Sequence, residues 1–182
     1  MRLFFAVEFD EKTKNILAEK QKLLRRNAVK GNFTLWENLH LTLRFIGEVP
    51  QEDLPVLTCI QDLVSKRHNP FRLEISGIGT FGRGDGCIVW AGIKECKELT
   101  ELQQDLEREI AAKGFKPETR PYMPHITLAR EFTPAGDMDK IIEEVGTLRH
   151  IFNVNGISLM ESTRVNGRLT YLRAYRTYIS KE

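Results

Sequence analysis

The chain has 182 residues, of which 41% are hydrophobic and 29% charged, and its formal net charge is only +2. These values are typical of a globular protein and argue against one that coats DNA nonspecifically. The three cysteines are odd in number and lack zinc-ligand spacing, which indicates reduced thiols. No apolar run is long enough for a signal peptide or a membrane span, so we predict a cytoplasmic protein without a membrane partner.

Hydrophobic periodicity divides the chain into strands and helices. In chain order the predicted elements are a strand at 2–9, a helix at 11–27, a strand at 40–46, a helix at 52–66, a strand at 70–78, a strand at 87–93, a helix at 97–113, a strand at 125–131, a helix at 138–148, and strands at 151–160 and 168–178. The order strand, helix, strand, helix, strand thus occurs twice, which predicts an α+β fold.

A short motif also occurs twice. The segment NLHLTLRF, which begins at Asn38, returns 85 positions later as MPHITLAR, and each copy contains His-x-Thr. Together with the repeated element order, this predicts an internal duplication within one bilobal domain, 1–182, with approximate halves 1–80 and 86–165. Chance explains alternating strands and helices well, but it explains two equivalent histidine motifs poorly.

The glycine-rich joint between the halves, at 77–86, contains two motifs that we interpret as nonfunctional. GIGTFG has the spacing of a dinucleotide-binding loop, but a strand rather than a helix is predicted after it. No helix N-terminus would then be available to hold a pyrophosphate, so we predict a flexible loop between strands. The RGD triplet that begins at Arg83 is interpreted as a chance match.

The His-x-Thr spacing places two polar side chains on one face of a strand, because side chains alternate along a strand. His40 and Thr42 therefore point the same way, and so do His125 and Thr127. The apolar neighbours expected on the opposite, core-facing side are Leu41, Leu43, Phe45, Ile126 and Leu128. If the two halves pack around a pseudo-twofold axis, the two polar faces meet in one cleft.

Two imidazoles and two hydroxyls in one cleft suit phosphate chemistry without a metal. A neutral imidazole can take a proton from an attacking water, and a charged one can give a proton to the leaving oxygen. Threonine hydroxyls can donate hydrogen bonds to phosphate oxygens. A zinc site is the weaker alternative, because two histidines would need a distant carboxylate to complete the ligand set. His68 and His150 have no motif around them, and we predict surface positions for both.

On these motifs the chain resembles the two-histidine phosphoesterases, specifically the RNA 2′,3′-cyclic phosphodiesterases once named 2′-5′ RNA ligases. The similar segments are RLFFAVEF, WENLHLTLRFIGEV, VWAGI, RPYMPHITLAR and GRLTYL. The resemblance implies a bilobal fold in which two antiparallel sheets line a central cleft and helices pack on the outside. It implies hydrolysis of an RNA 2′,3′-cyclic phosphate end to a 2′-phosphate, with 2′-5′ ligation as the reverse transfer. It implies no metal and no cofactor, an RNA partner such as a tRNA fragment, and a monomer.

The resemblance also implies roles for five residues. His40 would be the proton donor and His125 the proton acceptor, while Thr42, Thr127 and Arg130 would contact the phosphate. Strict alternation puts Arg130 on the face opposite His125, so its role requires the strand to bulge or end there.

Arg44 shares the predicted face of His40 and is a lower-ranked candidate for the cleft. The candidates for stacking on a base are Phe5, Trp36, Phe81 and Tyr122. Two other functions remain open at this point, namely a phosphodiesterase acting on a small cyclic phosphate and a noncatalytic protein that binds RNA ends.

Overall fold

A computed structural model describes residues 1–82 and 86–180. Its strands are β1 (Arg2–Glu8), β2 (Ala28–Phe33), β3 (His40–Glu48), β4 (Phe71–Phe81), β5 (Cys87–Ile93), β6 (His125–Pro134), β7 (Arg149–Val154), β8 (Gly156–Val165) and β9 (Arg168–Tyr178). Its α-helices are α1 (Glu11–Arg26), α2 (Leu54–Ser65), α3 (Lys97–Ala112) and α4 (Met138–Val145), and 3₁₀ turns cover Trp36–Asn38 and Gln51–Asp53. The RGD triplet lies outside the described residues.

The strands form two sheets in which every neighbouring pair is antiparallel. One sheet has the order β3-β1-β8-β9 and the other has the order β2-β6-β5-β4-β7. The predicted α+β class with two antiparallel sheets is therefore confirmed. Under the 85-residue offset, β1 corresponds to β5, β3 to β6 and β4 to β8. Strand β8 lies beside β1 and strand β4 beside β5, so the two halves have exchanged their third strands between the sheets. The halves 1–80 and 86–165 stay a prediction.

Two predictions differ from the structure, and one strand was not predicted. The expected strand at 151–160 is two strands, because the chain leaves one sheet after Val154 and enters the other at Gly156. The predicted flexible loop at GIGTFG was wrong, since β4 continues to Phe81 and pairs with β5. Strand β2 was missed because it is an edge strand with little apolar alternation. It interrupts the symmetry by pairing only with β6.

One hydrophobic core holds the helices against the faces of the sheets that point away from the cleft. Leu41 and Leu43 of β3 are in this core together with Leu17 of α1 and Leu106 of α3. Asp10 caps the N-terminus of helix α1, and its carboxylate accepts a hydrogen bond from the Thr13 amide at 2.7 Å. Such a cap satisfies an amide that has no partner within the helix. Within the described chain, no helix is long and apolar enough to cross a membrane.

Both histidine strands bulge at equivalent positions. In β3, Phe5 pairs with Arg44 while Ala6 pairs with Thr42, so Leu43 is an extra residue. In β6, Val89 pairs with Ala129 while Trp90 pairs with Thr127, so Leu128 is the extra residue. A bulge reverses the alternation of the side chains that directly follow it. The residues after each His-x-Thr therefore change faces.

Candidate functional site

The two His-x-Thr motifs meet across one cleft, because β3 and β6 lie side by side where the two sheets approach each other. The cleft has a volume of about 520 Å³. Its lining residues are Arg2, Phe4, Thr34, His40, Thr42, Phe45, Arg120, His125, Thr127, Arg130, Ser162, Leu169 and Tyr171. All five residues assigned from the resemblance are therefore together in one cavity. None of the lining residues among those described carries a carboxylate, which favours an anionic ligand.

Equivalent backbone contacts orient the two imidazoles. The Nδ1 of His40 lies 2.7 Å from the Asn38 carbonyl, and the Nδ1 of His125 lies 2.8 Å from the Met123 carbonyl. Since a carbonyl only accepts, both Nδ1 atoms carry a proton and donate it. The nitrogen at which each ring can gain or lose a proton is thus Nε2, which is unprotonated in the neutral imidazole. In His40 this atom lies 2.9 Å from the hydroxyl of Thr42.

Asn38 gives the first motif a support that the second lacks. Its buried side chain donates to the Leu169 carbonyl at 2.9 Å and accepts from the Tyr171 amide at 3.1 Å. The same residue thus holds β9 with its side chain and His40 with its carbonyl. The equivalent Met123 is 60% exposed. Asn38 was not predicted as part of the site, although it stands two residues before the histidine.

Replacing Asn38 with alanine should therefore disturb His40 specifically. We expect kcat to fall about tenfold or more while KM changes little, because a misplaced proton-transfer group slows the chemical step. The imidazole NMR signals of His40 should show a smaller fraction of the Nδ1–H tautomer.

The matched control is Gln61→Ala. Gln61 is a buried amide of α2 that donates to the Ile157 carbonyl at 2.8 Å and to the Thr177 hydroxyl at 3.1 Å, and so also contacts β8 and β9. It should lower stability to a similar extent without changing kcat or the tautomer. Equal kinetic losses in both variants would reduce Asn38 to a structural role.

Burial controls the protonation of His40. Its ring is half-buried between Phe4 and Tyr171, with ring centroids 4.9 and 5.1 Å away. The pKa of His40 is lowered to about 4, mainly by the loss of water around the ring and in addition by the positive charge of Arg130. The bond to the Asn38 carbonyl opposes this effect. In the free protein, His40 is thus neutral at pH 7.

Arg130 points into the cleft because of the bulge at Leu128. Two donors fix this bulge: the Leu128 carbonyl accepts from the Gln21 side chain at 2.8 Å and from the Thr34 amide at 3.0 Å. Ala129 is consequently buried, and Arg130 is exposed on the same side as His125 and Thr127. The sequence-based requirement for a bulge is thus met. The sequence feature related to it is Gln21, a polar residue on the face of α1 that also carries Leu17 and Leu24.

The equivalent bulge in β3 overturns the prediction for Arg44. Its side chain is 7% exposed and points into the protein, where the guanidinium pairs with Glu107 and donates to the carbonyls of Phe45 and Lys116. Phe45, which was expected in the core, is instead 41% exposed and lines the cleft. Strict alternation fails here because the extra residue Leu43 reverses the two faces.

Only one of the four predicted stacking candidates packs against the ring of a motif histidine. Phe81 packs edge-on against His125, with ring centroids 4.9 Å apart. Phe5 is fully buried, and Trp36 lies outside the cleft, where its indole donates to Asn15.

Tyr122 joins the two motif segments instead of presenting a free ring. Its hydroxyl donates to the Thr42 carbonyl at 3.0 Å, and burial raises its pKa. The aromatic residues that do line the cleft are Phe4, Phe45 and Tyr171. Their sequence context gave no indication of this, because three strands of one sheet that are distant in sequence, β1, β3 and β9, contribute them.

The remaining histidines are structural rather than simple surface residues. His68 Nε2 lies 3.2 Å from the buried carboxylate of Asp105, and His150 Nε2 lies 3.0 Å from the hydroxyl of the buried Thr13. Within residues 1–82 and 86–180, no group of three His, Cys, Asp or Glu side chains is arranged to hold a metal ion.

The sequence matches the 2′-5′ RNA ligase superfamily over residues 15–166. It is 31% identical over 167 residues to the RNA 2′,3′-cyclic phosphodiesterase of Methanothermobacter thermautotrophicus, a match that covers 89% of this chain and 90% of that protein. The RNA 2′,3′-cyclic phosphodiesterase of Archaeoglobus fulgidus is 36% identical over 135 residues, with 71% and 72% covered.

Solved structures agree with these matches. A crystal structure of a Thermus thermophilus protein superposes over 100% of both chains with a TM-score of 0.84 and 27% identity. The crystal structure of Escherichia coli LigT with 3′-AMP has a TM-score of 0.77 and 26% identity, and covers 99% of this chain and 98% of that one.

Proposed function

Because this chain belongs to the 2′-5′ RNA ligase superfamily of two-histidine phosphoesterases, we propose that it hydrolyses RNA 2′,3′-cyclic phosphate ends to 2′-phosphates. The observation that carries the proposal is the pair of imidazoles that line one cleft and have Nε2 available for proton transfer. Among the described residues, the same cleft is lined by arginines and by no carboxylate. The enzyme acts without a metal or cofactor, as a cytoplasmic monomer. Its three free cysteines suit a reducing compartment.

The chemistry requires one proton to be removed and one to be supplied. Water attacks the phosphorus and passes a proton to a neutral imidazole, the bond from phosphorus to the 3′ oxygen breaks, and a charged imidazole protonates that oxygen. The phosphate stays on the 2′ oxygen. Thr42, Thr127 and Arg130 stabilise the charge that develops on the nonbridging oxygens.

His40 is the proton donor and His125 the acceptor in this proposal, as the resemblance implies. The low pKa of His40 in the free protein means that it must gain its proton when substrate binds. A bound phosphate favours this, because a nearby negative charge stabilises the charged imidazole and raises its pKa. Substrate binding thus prepares the acid.

The deciding experiment is to incubate the protein, in excess chelator, with a short RNA that ends in a 2′,3′-cyclic phosphate. We expect complete conversion to a 2′-phosphate end, identified by chromatography against both phosphate isomers. A 3′-phosphate product would reverse which oxygen leaves. A rate lost in chelator and restored by zinc would contradict metal independence.

Two alternatives predict different results in the same assay. A phosphodiesterase of small cyclic phosphates would leave the RNA unchanged and hydrolyse a cyclic mononucleotide. A noncatalytic protein that binds RNA ends would bind both without turnover. The competing ligation, in which a 5′ hydroxyl of RNA attacks the phosphorus in place of water, the 3′ oxygen leaves and a 2′-5′ bond forms, should be seen only with concentrated RNA ends, because water is in large excess.

The pH dependence should be bell-shaped, because the active form has one neutral and one charged imidazole. We expect the acid limb of kcat/KM, which reports the free enzyme, near pH 4. Once both imidazoles are charged, neither can accept the proton of the attacking water, and activity falls. The acid limb of kcat should lie at higher pH, because bound phosphate raises the pKa of His40. A flat profile between pH 4 and 9, with chemistry rate-limiting, would contradict acid–base catalysis by the pair.

A further inference from the structure

Arg2 is a cationic side chain of the cleft that the reaction at the imidazoles does not use. It is exposed at the start of β1, and two residues later Phe4 of the same strand contacts the ring of His40. Because alternate residues share a face, Arg2 and Phe4 both point into the cleft, about 7 Å apart along the strand. Arg2 thus extends the cleft surface away from the imidazoles.

The guanidinium of Arg2 is held over the ring of Phe45, 5.0 Å from the ring centroid. Phe45 is five residues beyond His40 on β3, so their Cα atoms are about 15 Å apart along the strand. The guanidinium therefore lies further along the cleft and not beside the reacting phosphate. Stacking on an aromatic ring also restricts the arginine in advance, which lowers the cost of ordering it around a ligand.

The charge of Arg2 is not neutralised by the surrounding protein. Among the described residues, Arg2 makes no ion pair and no side-chain hydrogen bond. Its cross-strand neighbour Glu48 is 78% exposed and is 4.0 Å from the amino terminus. Arg120, another arginine of the cleft, instead donates twice to Glu118, at 2.9 and 3.1 Å. Of these two arginines, only Arg2 is free to bind an additional anion.

We propose that Arg2 binds the 5′ phosphodiester of the terminal nucleotide, while the imidazoles act on its 2′,3′-cyclic phosphate. This inference rests on the proposed function and defines its substrate as a polynucleotide end. The cyclic phosphate and Arg2 then hold the two phosphate groups of one nucleotide, whose nucleoside lies against Phe4 and Tyr171. A nucleoside cyclic phosphate without a 5′ phosphate makes no contact with Arg2.

The test compares three substrates: adenosine 2′,3′-cyclic phosphate, the same compound with a 5′ phosphate, and a diadenosine RNA with a 2′,3′-cyclic phosphate end. For Arg2→Ala we expect kcat/KM to fall about 10- to 100-fold on the second and third, the usual effect of losing a charged hydrogen bond. The first should be hydrolysed at the unaltered rate. Arg2→Lys should recover part of the loss.

Salt dependence gives a second readout. For the unaltered protein, the slope of log kcat/KM against log salt should be steeper on the diadenosine RNA than on the simple nucleoside by about 0.7, the value expected for one phosphate contact on a single strand. Arg2→Ala should remove this difference. The matched control is Arg25→Ala, because Arg25 also stacks on a phenylalanine, Phe33, at 4.1 Å, but lies outside the cleft. It should leave all three rates unchanged.

Equal losses on all three substrates, or no loss on any, would overturn the role of Arg2 while leaving the hydrolase intact. If the unaltered protein hydrolysed none of them, the proposed function itself would fail, and the role of Arg2 would fail with it.

Discussion

Alanine at either His40 or His125 is expected to lower kcat by about 10²- to 10⁴-fold, the usual contribution of a positioned acid or base. The double variant should be little worse than either single variant, because the two groups act in one step. Circular dichroism and urea unfolding should show that the fold survives in both. His150→Ala is the matched control, since His150 contacts Thr13 outside the cleft and should retain full activity.

The leaving group separates the two roles. If sulphur replaces the 3′ oxygen of the cyclic phosphate, departure needs little protonation, because a thiolate is a much weaker base than an alkoxide. His40→Ala should then lose much less activity than it does with the natural substrate, while His125→Ala should lose as much as before. The opposite pattern would exchange the donor and the acceptor. Near-normal turnover by either variant with the natural substrate would remove that histidine from the mechanism.

The largest stability effect is expected at Glu107, the partner of the buried Arg44. Replacing Glu107 with alanine should lower the free energy of unfolding by about 3 kcal/mol, because it leaves a buried guanidinium without its counter-charge. The loss should appear as a lower urea midpoint with an unchanged slope. Glu107 also accepts from the Glu118 amide at 2.8 Å, so the segment that leads to Tyr122 should loosen.

A double variant distinguishes the charge from the packing. Arg44→Met with Glu107→Leu removes both charges and keeps apolar volume, and replacing a buried pair in this way is often close to neutral. It should recover part of the stability that Glu107→Ala loses. A double variant as unstable as the single one would show that the bonds from Arg44 to the carbonyls of Phe45 and Lys116 matter more than the ion pair.

Helices and strands with a strong hydrophobic period were readable from the sequence. The strands 87–93 and 168–178 have the predicted bounds, and the four helices differ from their predictions by at most three residues at either end. Periodicity succeeds where one face of an element is buried and the other is not. It failed at β2, and at the junction of β7 with β8, where a continuous pattern hides a change of sheet.

The sequence by itself determined the chemistry of the site. Two His-x-Thr motifs in apolar strands specify two imidazoles and two hydroxyls, because the alternation of a strand is a local property. The antiparallel α+β class followed from element order and resemblance.

Only the tertiary structure decided which residues beyond the motifs reach the cleft. The bulges at Leu43 and Leu128 exchange the faces of Arg44 and Arg130, burying the first and exposing the second. Bulges are held by partners distant in sequence, such as Gln21 at Leu128. The pKa of His40 likewise depends on how deeply packing buries its ring. Side-chain direction after a bulge, and the desolvation of a titratable group, are properties of long-range contacts, and a local pattern does not contain them.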